Sequence, residues 1–360
     1  MLRFLLLTAA LAAASACASA PPVGAPVPDP TAPPVAAGWP VKSLPHVDLW
    51  IHSFALVSRD TVEVPLYRRG YRDSITVVKN TRNVLTSLDA NRAALESGLI
   101  NNPAYIQAQF IAFEFANWEE MKFSIDRFLQ VQGDLRRIDH RPTAQQAALW
   151  AGVFRTAADR EWLRLFVTGV VDEGARFYNE YRTQEWRNRN AVVTAVDSMW
   201  HRQYMRLFER FLTNSNQRNG DLILSMPLGG EGRATTAPDG RAMVAVAFPS
   251  RTQEMNESML VFAHEVVGGL VNSVVTDNTS PAEQRGGIAA RMVGAGQVRA
   301  GAILLQRVAP DLLPTYVRYY LLQSGKPAAT DLAALEQAFP LSAAVVDGLE
   351  RQIDVVLGGI

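Results

Sequence analysis

The chain has 360 residues, and its 35 Lys and Arg residues balance 35 Asp and Glu residues, so the formal net charge is zero. Binding to nucleic acid normally requires a basic stripe, and a neutral chain does not predict a nucleic-acid partner. Cys17 is the only cysteine, which excludes a disulfide bond within the chain.

Residues 1–16 predict a signal peptide that addresses the chain to the cell envelope. Arg3 provides a short positive region, and the apolar run that follows it is too short to cross a bilayer. Cys17 comes directly after Ala14-Ser15-Ala16, an order that is similar to a bacterial lipobox. In a lipobox the cysteine is lipid-modified and becomes the mature N-terminus, so Cys17 is the predicted lipidation site. Ordinary secretion, with cleavage at or near this point, is the alternative.

Residues 17–40 are rich in proline and alanine, a composition that cannot form a core and favours an extended spacer. A spacer directly after a lipidated cysteine holds the folded part of the chain away from the membrane. The predicted location is therefore the cell envelope, with the N-terminal lipid in a membrane and the protein on its periplasmic or outer face. Secretion is expected if Cys17 is not lipidated.

Residues 41–360 predict a single α+β domain that is mainly α. In residues 41–216, the mainly helical part, aromatic side chains recur at helical spacing, most densely over 159–187 and 191–213, which indicates helices that face a core. Pro103 is expected to begin a further long helix there. Residues 217–360 predict a strand–helix core, in which a small sheet or hairpin packs beside one helix and more helices follow, the longest over 282–308.

The segment 46–57 predicts either a strand or the start of a helix, because its apolar and polar residues alternate only at first. On a strand, four residues would share one face and form a conceivable metal or acid/base cluster: His46, Asp48, Trp50 and His52. A solvated strand face is the more ordinary interpretation, because nothing else marks the site.

A glycine-rich turn joins two predicted strands in the second half of the chain. The strands are 220–227 and the apolar run 241–249, and Gly229, Gly230 and Gly232 lie between them. No Lys-Ser/Thr pair follows these glycines, so the turn does not predict a phosphate-binding loop. The chain also contains no G-x-S-x-G motif, and serine-hydrolase chemistry is not predicted.

The next predicted helix, 259–274, carries His264 and Glu265, the first half of the zinc-peptidase signature H-E-x-x-H. In that signature the two histidines lie one helical turn apart on one face and bind the same Zn²⁺. The glutamate beside the first histidine polarises the metal-bound water. The position of the second histidine is Gly268 in this chain, so one ligand of the signature is absent.

The order of strand, glycine turn, strand and His-Glu helix is similar to that of zincin metallopeptidases. Within it, Ser225–Gly230, Met243–Phe248 and the run from His264-Glu265 to Val271-Asn272 resemble an uncharacterised bacterial family with zincin-like sequences. The resemblance implies that His264 is the first zinc ligand and Glu265 the general base. It also implies a cleft whose exposed edge binds an extended peptide as an added strand, formed by Met243, Val244, Ala245 and Val246.

Two of the three zinc ligands implied by the resemblance are missing. Gly268 replaces the second, and the third is implied a few residues before Arg299, in a stretch without any acidic residue, 284–310. A catalytic zinc normally has three protein ligands, and one histidine binds the ion too weakly. His264 and Glu265 are therefore predicted to be a vestigial ligand and a vestigial general base, and no cofactor is expected.

Three hypotheses for the function remain. The first is a non-catalytic, zincin-like envelope lipoprotein that binds a peptide or protein in the remnant cleft. The second is an active zinc metallopeptidase whose missing ligands come from elsewhere in the chain, with His46, His52, His140 and His201 as candidates. The third is a purely structural helical lipoprotein in which His264 and Glu265 are ordinary core and cap residues. The loss of two ligands together favours the first.

Overall fold

A computed structural model of the chain describes residues 38–58, 64–237 and 239–358. The predicted signal peptide, the lipidation site Cys17 and the linker up to residue 37 lie outside the described residues, so these remain predictions. From Gly38 onward the chain forms one compact unit.

One small sheet joins strands from distant parts of the chain. The strands are β1 (Val41–Lys42), β2 (Gly220–Ser225), β3 (Arg233–Thr236) and β4 (Ala242–Ala247), in the order β1-β2-β4-β3. β1, β2 and β4 run parallel, whereas β3 pairs with β4 in antiparallel orientation. Every residue of β2 and β4 is buried, which explains why both strands are largely continuous apolar runs.

Helices make up most of the described chain, which confirms the prediction of an α+β fold that is mainly α. Before β2 the α-helices are α1 (Pro45–Val57), α2 (Tyr71–Thr81), α3 (Ser87–Ala90), α4 (Arg92–Asn101), α5 (Trp118–Gln130), α6 (Arg141–Val153), α7 (Ala157–Glu173), α8 (Asn179–Asn188), α9 (Asn190–Met199) and α10 (Met205–Asn214). After β4 they are α11 (Asn256–Val266), α12 (Gly268–Asp277), α13 (Pro281–Arg285), α14 (Ile288–Val308), α15 (Leu313–Gln323), α16 (Leu332–Ala338) and α17 (Ala343–Gly358).

Aromatic side chains form much of the core of the helical part, as their spacing predicted. One group of buried rings connects α1, α6 and α7 through mutual edge and stacking contacts: Trp50, Phe54, Trp150, Trp162 and Phe166. Two π-helical turns, Gly174–Tyr178 and Trp200–Tyr204, join α7 to α8 and α9 to α10. The chain is therefore helical over most of both predicted aromatic segments, with a local change of hydrogen bonding in each.

Segment 46–57 is helical, and α1 buries every residue from His46 to Val57. Successive residues of a helix point in different directions, so the four polar and aromatic candidates do not form one cluster. Each has its own buried partner: Phe115 for His46, Ser225 and Arg182 for Asp48, Ala108 for Trp50, and Glu173 for His52. The interpretation of a solvated strand face is therefore wrong.

Three other elements differ from the sequence-based expectation. Pro103–Glu114 forms a 3-10 helix rather than a long α-helix. The predicted helix 259–274 is divided at Val267 into α11 and α12. The predicted helix 282–308 is divided at Gly287, whose φ of 73° is a left-handed conformation that glycine adopts readily.

Two helical stretches, Thr252–Asp277 and Ile288–Val308, are long and apolar enough by length and composition to cross a membrane. Their most apolar windows are 72% and 50% buried inside the fold. Both stretches also pack against other elements, because α11 contacts β4 while α14 contacts α11, α12 and α17. Buried core helices of this kind satisfy the same test of length and composition.

Glu173 is the centre of a buried polar cluster that joins helices of the helical part. Its carboxylate accepts hydrogen bonds from His52 Nε2 at 3.0 Å, from Lys79 Nζ at 2.7 Å and from the Thr86 hydroxyl. Burial alone raises the pKa of Glu173, but the hydrogen bonds and charges of His52 and Lys79 outweigh burial and lower it to about 2. The cluster therefore holds α1, α2 and α7 together through one ionised carboxylate.

Candidate functional site

Helix α11 carries the candidate site and lies against the sheet. It packs on β4, and the Ser258 hydroxyl donates to the Ala247 carbonyl oxygen at 3.1 Å, which fixes the helix to the end of the strand. His264 and Glu265 lie near its C-terminal end and are 2% and 5% exposed. The predicted small sheet beside the His264 helix is therefore confirmed.

Both carboxylate oxygens of Glu265 are bound to the backbone where β3 begins. The Gly232 N–H donates to Oε1 at 3.1 Å, and the Ala234 N–H donates to Oε2 at 2.9 Å. Nδ1 of His264 also lies 2.9 Å from Oε1. A general base must direct a lone pair at the proton that it removes. The structure instead places the Glu265 carboxylate as a cap on β3.

The glycine turn before β3 is a place of close packing. A Cβ at position 232 would lie 2.3 Å from the carbonyl oxygen of Ala245 and 2.9 Å from Cγ of Glu265. Only a residue without a side chain fits between these groups. Gly232 therefore allows the backbone to approach Glu265, a role that the predicted glycine-rich turn did not include.

The His264 imidazole forms part of the wall of a cavity of about 560 Å³, named here the His264 cavity. The ring stacks on Tyr320, with centroids 5.2 Å apart and planes inclined by 16°. Because a carboxylate only accepts hydrogen bonds, Nδ1 beside Glu265 carries the proton in the neutral ring. Nε2 then presents a lone pair, and no residue in the described part of the chain hydrogen-bonds to it.

The rest of the cavity wall is mostly apolar. Val64, Val293 and Phe339 contribute side chains, together with small residues of α14. Glu231, Arg291 and Gln297 are the polar residues that accompany His264 in the wall. Cavities of this size, apolar with a few polar groups, are typical of sites for small ligands or inserted side chains.

Gln297 occupies the space that a side chain at position 268 would enter. A Cβ on Gly268 would lie 3.0 Å from Nε2 of Gln297. Gln297 is on α14, two residues before Arg299, in the stretch where the resemblance implies a third zinc ligand. The position of the second implied ligand therefore lies beside one residue of the stretch in which the third is implied, and that residue carries a neutral carboxamide.

The other histidines do not lie beside His264. Each is hydrogen-bonded elsewhere: His46 to Phe115, His52 to Glu173, His140 to Thr143 and His201 to Asp197. Over residues 38–58, 64–237 and 239–358, no group of three or more His, Cys, Asp or Glu side chains is arranged to hold a metal ion. Relocated ligands, on which the active-peptidase hypothesis depends, are not found in this part of the chain.

The predicted cleft edge lies in the interior of the sheet. Met243, Val244, Ala245 and Val246 belong to β4, which pairs with β2 on one side and β3 on the other. All four residues are buried, so a peptide cannot add to this strand, and the predicted edge is wrong. β3 was not among the predicted strands, because the run Arg-Ala-Thr-Thr is short and mostly polar.

The open edge beside the site belongs to β3, and Glu265 covers its beginning. Along an antiparallel edge strand, alternate N–H groups point away from the paired strand. Those of Gly232 and Ala234 are directed at Glu265. The first donors that an added strand would use are therefore already bound, and the space open to a ligand near His264 is the cavity.

Comparisons with protein-family models, with curated proteins and with solved structures found no match to this chain. The resemblance to zincin-like sequences therefore remains a prediction. Inferences about function depend on the geometry around His264.

Proposed function

We propose that the protein is a non-catalytic, zincin-like lipoprotein of the cell envelope that binds a peptide or protein ligand in the His264 cavity. The observation that supports this best is an open cavity with an incomplete ligand set. His264 lines about 560 Å³ of space, whereas Gly268 replaces the second implied ligand and the stretch 284–310, in which the third is implied, contains no acidic residue. A cavity of this size suits one side chain or a short segment of a bound peptide.

The surroundings of His264 argue against hydrolysis. A catalytic zinc site normally combines three protein ligands with one position for water. Here His264 has neither partner ligand, and the Glu265 carboxylate is occupied by backbone N–H groups. The metal site and the base would both have to be rebuilt before this arrangement could cleave a peptide bond.

The environment of the His264 ring also argues against a purely structural role for this residue. A structural core histidine usually has both ring nitrogens satisfied by neighbouring groups. In His264 the Nδ1–H group donates a hydrogen bond to Glu265, while Nε2 belongs to a ring that forms part of the cavity wall. The cavity is thus supplied with a ring nitrogen to which no residue of 38–58, 64–237 and 239–358 hydrogen-bonds.

The envelope location in this proposal depends on Cys17. A lipid-modified N-terminus with several acyl chains anchors a protein stably, whereas a single chain binds a membrane reversibly. The Pro/Ala-rich residues 18–40 would act as a spacer between that anchor and the folded unit. The proposal includes no nucleic-acid partner, because the chain has no net positive charge.

Metal analysis and a peptidase assay on the purified protein test the non-catalytic part of the proposal. We expect zinc well below one equivalent and no cleavage of a mixed peptide library. Glu265→Gln is the matched variant, because it keeps the shape of the side chain and removes its charge. Near-stoichiometric zinc, together with cleavage that this variant abolishes, would contradict the proposal.

A cavity-blocking pair of variants tests the binding part. Gly294 lines the His264 cavity, Gly269 does not, and a Cβ at either position meets no atom within 4 Å. Gly294→Phe should therefore remove binding to members of an immobilised peptide library, whereas Gly269→Phe should retain it. Equal binding by the two variants would place the ligand outside the His264 cavity.

A further inference from the structure

We infer that the His264 cavity selects a ligand group that donates an N–H hydrogen bond and disfavours carboxylates. The candidate groups are the amide, ammonium and guanidinium groups of a peptide. This inference rests on the proposed function and specifies the chemistry of the same site. It follows from the tautomer of His264 and from the polar groups around the cavity.

The tautomer is set by Glu265. The carboxylate is placed by the Gly232 and Ala234 N–H groups, which donate to both of its oxygens. Oε1 therefore accepts a hydrogen bond from the Nδ1–H group of His264, with the two heavy atoms 2.9 Å apart. A neutral imidazole has a single N–H, so the ring nitrogen left for the ligand, Nε2, is an acceptor. A carboxylate in the cavity would find a lone pair there instead of a donor.

The other polar groups of the wall favour the same choice. Glu231 brings a carboxylate into the wall, and it lies close enough to raise the pKa of Tyr320, after burial and other nearby groups. Arg291 is the cation among the described residues of the wall, but it is exposed, and its Nη1 is 4.0 Å from a Cβ placed on Gly287 at the start of α14. Its guanidinium thus reaches toward the beginning of the helix, away from Gln297, which lies six residues further along.

The shape of the cavity restricts the donor further. The His264 ring is fixed by its stacking on Tyr320 and its bond to Glu265, so Nε2 cannot turn away from the ligand. The apolar side chains of Val293 and Phe339 form other parts of the wall. A ligand group with an N–H donor at one end and an apolar body therefore matches the acceptor Nε2 and the apolar wall.

The tautomer is tested by nuclear magnetic resonance of the full mature chain labelled with ¹⁵N at histidine. The chain has five histidines, so the spectrum of the His264→Gln variant assigns the signals of His264. In the neutral ring we expect a protonated Nδ1, donating to Glu265, and a bare Nε2. A protonated Nε2 would overturn the inference, whatever the protein binds.

Three probes of nearly identical shape test the selectivity: benzamidine, benzamide and benzoate. Benzamidine and benzamide carry N–H donors, cationic and neutral respectively, and should shift the Nε2 signal of His264. Benzoate should bind at least about tenfold more weakly, the effect expected from replacing one hydrogen bond by a repulsive contact. Equal or tighter binding of benzoate, or no shift with any probe, would overturn the inference.

Two variants separate the ring nitrogens. The side-chain amide of His264→Asn lies near the place of Nδ1, and that of His264→Gln near the place of Nε2. We expect His264→Asn to weaken benzamidine binding about tenfold and His264→Gln to retain most of it; the reverse order would contradict the role of Nε2. Zinc content and peptide cleavage fail or succeed independently of these probes, so the proposed function and this inference are tested separately.

Discussion

Replacing Glu265 by alanine distinguishes a structural cap from a catalytic base. If Glu265 were present only as a general base, the change would leave stability nearly unaltered. The structure predicts the opposite, because the carboxylate is the hydrogen-bond acceptor of the Gly232 and Ala234 N–H groups and of Nδ1 of His264. We therefore expect Glu265→Ala to lower the free energy of unfolding substantially.

The magnitude follows from the donors that are left without an acceptor. A buried donor that loses its partner costs about 1–3 kcal/mol. The Gly232 N–H is buried and the Ala234 N–H is partly buried, so the second donor regains some hydration. Counting the first near the middle of this range and the other two at its lower end gives a loss of roughly 4 kcal/mol.

Urea unfolding followed by circular dichroism measures this loss, with Glu257→Ala as the control. Glu257 lies on the same helix, and its carboxylate has only a 3.8 Å ion pair with Arg68 to lose. A partly exposed pair of this kind contributes about 0–1 kcal/mol. If Glu265→Ala destabilised the protein no more than Glu257→Ala does, the proposed role of Glu265 as a cap on β3 would be refuted.

Three further predictions concern the metal positions, the buried carboxylate and the anchor. The double variant Gly268→His/Gln297→Glu should bind zinc in equilibrium dialysis, whereas either single variant should bind it weakly; no gain in the double variant would contradict the zincin-like geometry. The folded-state pKa of Glu173 is about 2 against an ordinary value of 4.5, so its contribution is present above pH 4.5 and is lost as pH falls toward 2. Glu173→Gln should therefore destabilise the protein at neutral pH and flatten its acid unfolding in that range; an unchanged acid profile would argue against the cluster. Cys17→Ser should move the protein from the membrane fraction to the soluble fraction, and unchanged fractionation would exclude lipidation as its anchor.

Local patterns predicted the class of the fold and the strand–helix core. The apolar run that became β4 and the aromatic spacing of α7 and α10 depend on burial periodicity, which one sequence displays directly. The edge strand β3 was not predictable in the same way, because none of its four residues is fully buried and three of them are polar. Its pairing with β4 depends on close approach at Gly232, which only the three-dimensional arrangement reveals.

In the candidate site, too, sequence neighbours were predictable and distant partners were not. His264 and Glu265 were recognisable because they are adjacent in sequence. Their partners were not, since Glu265 bonds to groups more than thirty residues earlier and Gln297 meets Gly268 from another helix. The cluster around Glu173 was missed for a similar reason: its hydrogen-bonding partners His52, Lys79 and Thr86 come from three separate segments.

Because Gln297 lies where a side chain on Gly268 would begin, substitutions at the two positions have to be considered together. An imidazole at position 268 alone would start 3.0 Å from the Gln297 carboxamide and would have to displace it, while Gly296 allows α14 to approach Val271 of α12. A carboxylate at position 297 alone would face His264 without a metal ion to neutralise it. Each single substitution, Gly268→His or Gln297→Glu, is therefore expected to be unfavourable. Only the two together would add two zinc ligands beside His264. The interface of α12 and α14 is packed by Gly268, Gly296 and the neutral amide of Gln297, and His264 Nε2 is one of the polar groups beside it.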